Sequence, residues 1–412
     1  MSFPKQRSGS RCRVCGGPVS EFFDFGRQPL SDAFHEQPPA DELFFRLAVG
    51  NCSWCTMVQL MEEVPRDRMF HAGYPYLSSG SAVMRDHFGK VAGRFLETEL
   101  TGPNPFVVEL GCNDGVMLRT IAEAGVRHLG VEPSGGVADL AAAKGVRVRK
   151  SFFEEQVATE ILAQDGPADV IYAANTLCHI PYLGSILRGV DALLAPDGVF
   201  VFEDPYFSDI VERASFDQIY DEHFYLFTVR SVQAAARPYG LELVDVERLP
   251  VHGGEVRYTL ARAGGRRLAP AVAELLAEEH ERRLTEAETL AGFGSRVEGI
   301  RERLVTLLRE LKAKGKRVAG YGATAKSATV LNYCGIGPDL IPYITDTTKA
   351  KQGTKTPGSH IPVLGPEAFR DPYPDYAVLF AWNHAAEIME KEVGFAGVGG
   401  EWITYVPDVR VV

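Results

Sequence analysis

Eleven residues, Asp217 to Phe227, hold two tyrosines, three acids and a histidine, with Tyr220, Asp221, Glu222 and His223 consecutive. An imidazole titrates near neutrality and can take a proton in water. A phenol beside it can donate to a developing negative charge, and a carboxylate can orient or recharge the ring. If this turn is helical, Tyr220 and His223 share a face. The competing reading is packing by Phe224, Leu226 and Phe227, with the polar residues turned to water. A second group, Cys178-His179-Ile180-Pro181, follows an apolar run. In an open α/β sheet that is the carboxyl end of a strand, where substrate-facing residues gather.

Two glycine-rich turns stand where such sheets hold ligands. The first is Glu109-x-Gly111-x-Asn113-x-Gly115, between the apolar run Phe106–Leu110 and a helical pattern from Val116 to Ala124. It resembles the loop of class I S-adenosylmethionine (SAM) methyltransferases, an acid followed by alternate glycines, in which small residues let the backbone approach the cofactor. Asn113 replaces the central glycine, and asparagine tolerates left-handed turn geometry better than most residues. Glu132, 21 residues after Gly111 and followed by Pro133, has the spacing of a carboxylate that accepts the ribose hydroxyls. Asn175, after the next strand, falls where such enzymes cover the cofactor, and Tyr74 and Tyr76 precede the domain as a cover or an interdomain packing loop. The second turn, Gly320-Tyr321-Gly322-Ala323-Thr324-Ala325, is a dinucleotide-type fingerprint with Asp346 following 24 residues after Gly322. Lys326 opens the next helix and Lys349, Lys351 and Lys355 flank the next loop, cations that suit a pyrophosphate. Arg257, in the hairpin pattern Val251-His252-Gly253-Gly254-Glu255-Val256-Arg257, is a further anion candidate. A duplicated scaffold without a ligand is the plainer alternative for the second turn.

Four of the seven cysteines form two pairs, Cys12-x-x-Cys15 and Cys52-x-x-Cys55, separated by 36 residues. Each pair can turn two thiolates onto one tetrahedral ion, and four thiolates leave no open position for water, so the metal expected is a structural zinc. Redox or disulfide pairs are the alternative, which a cytoplasmic chain disfavours. Cys112, Cys178 and Cys334 stand alone in apolar stretches and read as ordinary buried thiols.

The elements that must position these residues read as α/β. Strands at Phe106–Leu110, His128–Pro133, Asp169–Ala174 and Gly198–Glu203 alternate with helices, the pattern of a doubly wound parallel sheet. The division expected is a zinc-binding domain at 1–72, a SAM-binding domain at 73–264, a helical connector at 265–313, and a C-terminal Rossmann-like domain at 314–412. Several domains agree with 412 residues, since one core rarely grows past roughly 250–300. A composition of 45% hydrophobic and 24% charged residues excludes a disordered or collagen-like chain. A net charge of -11 argues against non-specific nucleic-acid or anionic-membrane binding. The amino-terminal residues show no apolar run of a signal peptide, and a soluble cytoplasmic protein is expected.

Taken in order, the paired Cys-x-x-Cys, Tyr74-x-Tyr76-x-Ser78-Ser79, the Glu109–Gly115 loop, His179-Ile180-Pro181, Tyr220-Asp221-Glu222-His223-Phe224, His252-Gly253-Gly254 and Gly320-Tyr321-Gly322-Ala323-x-x-Lys326 resemble the deoxysugar C-methyltransferases of antibiotic biosynthesis. The resemblance spans essentially the whole chain. It implies a dTDP-linked 4-keto-6-deoxyhexose as substrate, methylated at C3 with SAM, with a hydroxyl or an amino group at C3 both open. His223 would be the base, with Tyr220, Glu222 and His179 as its neighbours, and the chain would be a monomer or small homo-oligomer. The C-terminal domain, through Tyr321, Gly322, Ala323, Lys326 and Lys351, would help hold the sugar nucleotide. A SAM-dependent O- or N-methyltransferase, a nicotinamide oxidoreductase and a non-enzymatic zinc-ribbon adaptor are the other classes open at this point.

Overall fold

The computed structural model describes residues 10–412 apart from residues 72, 73 and 75. The amino-terminal end read for targeting and the expected boundary at 72/73 therefore lie largely outside the described residues, as does Pro75 of the Tyr74–Ser79 motif.

The amino-terminal unit is an antiparallel sheet of β1 (Val19–Pro29), β2 (Phe44–Cys52) and β3 (Val58–Leu60). Its two Cys-x-x-Cys loops converge, with Cys12 Sγ 3.5 Å from Cys55 Sγ and Cys15 Sγ 3.5 Å from Cys52 Sγ. The backbone N–H groups of Val14 and Gly17 donate to the sulfurs of Cys12 and Cys15, the turn that aims both thiols one way.

The middle unit contains β4 (Phe106–Leu110), β5 (Arg127–Val131), β6 (Val148–Arg149), β7 (Ala168–Ala174) and β8 (Leu194–Pro205). A short β9 (Tyr225–Leu226) follows, then β10 (Leu241–Leu249) and β11 (Glu255–Arg262). The large sheet has the order β10-β11-β8-β7-β4-β5-β6, parallel except that β11 runs antiparallel to both of its neighbours. Every residue of β4 is buried, as a central strand covered by helices on both faces requires. The order reverses between β4 and β7, which opens a crevice at their carboxyl ends.

β9 leaves the large sheet and pairs with β3, Val58 opposite Leu226 and Gln59 opposite Tyr225, so the middle unit completes the amino-terminal sheet. Helices Pro270–Glu281 and Ala287–Ala313 then lead to the third unit. The longer one buries Leu290, Phe293, Val297, Ile300, Leu304, Leu308 and Leu311, an apolar stripe at helical spacing, and leaves its charges on the other face. The last sheet comprises β12 (Val318–Tyr321), β13 (Ile344–Thr345), β14 (Val363–Leu364), β15 (Tyr376–Leu379), β16 (Glu401–Thr404) and β17 (Arg410–Val411), in the order β14-β13-β12-β15-β16-β17. It too reverses at its first strand. No helix among the described residues is long and apolar enough to cross a membrane.

Candidate active site

The segment Asp217–Phe227 is gripped by all three units. Asp217 accepts from Trp382 Nε1 (2.6 Å) and from the Tyr405 hydroxyl (2.7 Å), and Thr329 Oγ1 donates to the Ile219 carbonyl (2.9 Å), all from the C-terminal unit. From the amino-terminal unit, Ser31 N donates to Asp221 (3.1 Å) and Leu60 N to the Phe224 carbonyl (2.9 Å). The turn itself closes with His223 N on the Tyr220 carbonyl at 3.0 Å. It is a tight turn and not a helix, yet it still brings the two side chains together.

His223 lies buried with Nδ1 2.8 Å from the Gln218 carbonyl and Nε2 2.8 Å from the Tyr220 hydroxyl. A carbonyl can only accept, so Nδ1 carries the hydrogen and Nε2 presents a lone pair, to which Tyr220 donates. Burial, with the cationic neighbour Lys326, pushes the imidazole well below its usual 6.5 and keeps it neutral. His179 stacks on it at 5.3 Å between centroids and 24°, and Phe70 stacks on the other face of His179 at 5.5 Å. Burial lowers His179 to about 3, and its Nε2 has no hydrogen-bond partner among the described residues. The Tyr74 hydroxyl donates to Glu222 Oε2 at 3.1 Å, and burial with Asp32 and Asp221 nearby raises Glu222 well above 4.5. One atom each from Cys178, His179 and His223 lies within 4.8 Å of the others. The two rings are nearly parallel, so their in-plane lone pairs do not converge on one ion.

Beside this cluster, the Glu109–Gly115 loop caps the crevice at β4. Gly111 (φ 68°) and Gly115 (φ 74°) are left-handed, and a Cβ on Gly111 would run into the Thr176 side chain. Asn113 is also left-handed (φ 48°), as its residue type allows, and receives Ser78 N at 3.0 Å while donating to the Tyr76 carbonyl at 3.2 Å. Glu132 accepts Asn113 N (3.0 Å) and Ser134 N (2.7 Å), one bond per oxygen, so each oxygen keeps a lone-pair site for a ribose hydroxyl. Glu109 is buried with Oε2 unpartnered among the described residues, an acceptor for the cofactor's ammonium group. Asn175 (φ 48°) is pinned through its N–H to the Glu203 carbonyl at 2.7 Å, and Pro133 is half-buried after Glu132. These residues fit SAM. The four cysteines fit zinc, since Zn–S bonds of about 2.3 Å imply S···S edges of about 3.8 Å.

Several expected site residues stand elsewhere. Tyr74, expected to cover the cofactor, donates to Glu222 beside His223, whereas Tyr76 lies over the loop through its backbone. Arg257, expected to bind an anion, is committed to Glu203 (2.7 Å) and Glu247 (2.7 Å), because its position on β11 faces Glu203 of β8. Tyr321 points into the core of the last unit, against Phe369 and Trp402, with its hydroxyl on Glu392. Lys351 donates to Asp32 (3.1 Å) and the Ala323 carbonyl (3.0 Å), so it joins units and does not stand free for a phosphate. Gly322 (φ 88°) closes against Ala381, and the N–H of Ala323 is taken by Asp346 at 2.8 Å. Lys326 alone of these six brings a side-chain charge to the cleft, donating to the His252 carbonyl at 3.0 Å beneath Trp382.

Sequence reasoning missed Asp114, which binds Ser79 and Lys144 and ties the Tyr76–Ser79 segment to the loop. It missed the backbone carbonyl of Gln218, which sets the tautomer and has no side-chain signature. Asp204, at the end of β8, accepts Cys178 N at 3.2 Å, and an acid closing an apolar strand was the signal available.

Family models match the three units in turn: a zinc binding domain over residues 12–70, a methyltransferase domain over 85–246 and a C-methyltransferase C-terminal domain over 250–407. C-methyltransferase NovU of Streptomyces niveus is 36% identical over 405 residues, 97% of this chain and 96% of that protein. The chain belongs to the C-methyltransferase family. A more distant C-methyltransferase relative, the sterol 4-C-methyltransferase strm-1 of Caenorhabditis elegans, is 24% identical over 42% of this chain and 61% of its own length. Among solved structures, the PH0226 protein of Pyrococcus horikoshii aligns with a TM-score of 0.36 and 14% identity, over 48% of this chain and 98% of that one. The C-methyltransferase described here is thus a SAM-dependent enzyme with a class I methyltransferase sheet and a zinc-binding amino-terminal unit.

Proposed function

We propose that this enzyme adds a methyl group to C3 of a dTDP-linked 4-keto-6-deoxyhexose, in the cytoplasm, for deoxysugar and antibiotic biosynthesis. In this reading residues 1–72 hold zinc, 73–264 hold SAM and the base, 265–313 connect, and 314–412 help to hold the sugar nucleotide. The observation that supports it most is the lone pair on His223 Nε2, shared with the Tyr220 hydroxyl, in a buried cluster rich in donors. C3 is acidic only because the C4 ketone takes the electron pair as the C3–H bond breaks. The proton passes to Nε2, while Nδ1–H stays on the Gln218 carbonyl and holds the ring in place. Tyr220 is the donor nearest the base and turns to the developing oxyanion; His179 offers a second ring from the stack. Bound SAM supplies a methyl group on a sulfonium, which the C3 carbanion takes in line to leave S-adenosylhomocysteine. Glu222, held by Tyr74, borders the cluster as a neutral acid.

Mass spectrometry with SAM and a panel of dTDP-linked 4-keto-6-deoxyhexoses tests this. Gain of one methyl, placed on a ring carbon by fragmentation, is expected. Methyl gain on a ring oxygen or nitrogen, or none in protein that binds SAM, would sink the C-methylation reading.

A further inference from the structure

Glu255 opens β11 directly after the Gly253-Gly254 turn and is fully buried. Neither of its carboxyl oxygens has a hydrogen bond of full geometry among the described residues, and the Asn175 side chain is the one polar group that approaches them. Buried polar atoms in folded proteins are otherwise paired, since an unpaired one carries its full desolvation cost. Its surroundings place it in the crevice. Backbone pairing sets it opposite Pro205 at the carboxyl end of β8, where it feels the charge of Lys326 and the Asn175 side chain comes within hydrogen-bonding reach. It acts in turn on Cys178, beside His179, and on Tyr76 above the cofactor loop. Groups on its own strand face are already matched: Arg257 pairs with Glu203 and Glu247, and His87 Nε2 lies 2.6 Å from Glu203. Lys326 is hydrogen-bonded to the His252 carbonyl. Beyond Asn175, most of the pairing capacity of Glu255 is left for a group that enters the crevice.

We propose that Glu255 determines specificity by receiving a basic amino substituent on the sugar ring, an inference that rests on the ketosugar reading above. Burial and the nearby Glu203 and Asp204 raise this carboxyl well above 4.5, so it enters the encounter protonated. An amine is the stronger base. The O–H bond of Glu255 breaks, the proton joins the amine nitrogen, and a buried ammonium–carboxylate pair results with no net gain or loss of charge. A hydroxyl at the same position cannot take that proton and makes only a neutral hydrogen bond, which is about half as strong.

The test compares kcat/KM for two dTDP-linked 4-keto-6-deoxyhexoses that differ only in an amino or a hydroxyl group at C3, with wild-type enzyme and Glu255→Gln. Wild type is expected to favour the amino sugar by about 100-fold or more, and the variant to favour neither by more than about 5-fold, with the loss in the KM of the amino sugar. The wild-type ratio decides even where the variant folds poorly. A wild-type ratio near one or favouring the hydroxyl, an unchanged ratio in Glu255→Gln, or a loss confined to the KM of SAM overturns the assignment. Methylation of both sugars alike overturns this inference alone, whereas methylation of neither overturns the ketosugar reading with it.

Discussion

His223 is held by two hydrogen bonds of opposite sense, and its reactivity follows from them. The Gln218 carbonyl accepts from Nδ1 and the Tyr220 hydroxyl donates to Nε2, while burial removes the cationic form from the neutral range. A base works when deprotonated, and this imidazole loses its proton below 6.5. The acid limb of kcat/KM against pH is therefore expected to fall below pH 6.5, and a half-point above 7 would contradict the assignment. Tyr220→Phe removes the proposed oxyanion donor and is expected to lower kcat about 100-fold, with the affinity for SAM unchanged in a binding titration. Asp204 gives a prediction about stability. Burial raises its carboxyl to about 8 from an ordinary 3.8, so the unfolded chain ionises it first and the folded state loses relative stability as pH rises between those values. Asp204→Asn has no such proton to lose. Its stability relative to wild type is expected to grow between pH 5 and 9 in thermal unfolding, reaching about 1–3 kcal/mol. The histidine, the tyrosine and the acid were legible as a cluster, because their types and adjacency show in the sequence. The tautomer was not, since a backbone carbonyl five residues away sets it. Arg257 is taken up by Glu203 and Glu247 and the Tyr321 hydroxyl by Glu392, partners on other elements that a sequence motif does not record.

At the scale of elements, the zinc unit acts on the base cluster through β3 and β9. β9 begins two residues after His223, and its pairing with β3 depends on Cys52 and Cys55 being clamped at either side of the β2–β3 turn. A closed four-sulfur site does no chemistry itself, but its loss frees the strand that anchors the catalytic turn. Removal of the metal by a chelator is expected to lower kcat at least about 10-fold and to expose residues 44–60 to protease, while SAM binding at the β4 loop stays within about 2-fold. Equal loss of SAM binding and activity would show instead that the zinc unit supports the whole fold. The sequence announced the metal ligands by spacing and the central strands by their apolar runs. It did not announce β9, whose two residues gain strand geometry only from the partner in another unit.

Across the whole molecule, the three units meet on one segment, and ion pairs join them in twos. Lys351 of the last unit reaches Asp32 of the first, with both side chains about nine-tenths covered, and lies over the Phe34 ring at 4.4 Å. Breaking a pair so placed leaves an unmatched buried charge and costs roughly 3–5 kcal/mol. Lys351→Met is accordingly expected to lower the Tm by several degrees in calorimetry, and to leave the KM of the sugar nucleotide nearly unchanged; the reverse pattern would return Lys351 to the substrate site. The order of the units was readable from two glycine-rich turns and two cysteine pairs. Their docking was not, because contacts such as Trp382 and Tyr405 on Asp217 join residues far apart in the chain. The proposed reaction depends most on His223 being the group that removes the proton next to the ketone. The most direct measurement is exchange of the C3 hydrogen of the ketosugar with deuterated water, followed by NMR with S-adenosylhomocysteine bound so that no methyl can transfer. Wild type is expected to exchange it, and His223→Asn to exchange it at least about 100-fold more slowly with cofactor affinity preserved. Exchange at the wild-type rate in His223→Asn would place the base elsewhere and contradict the mechanism.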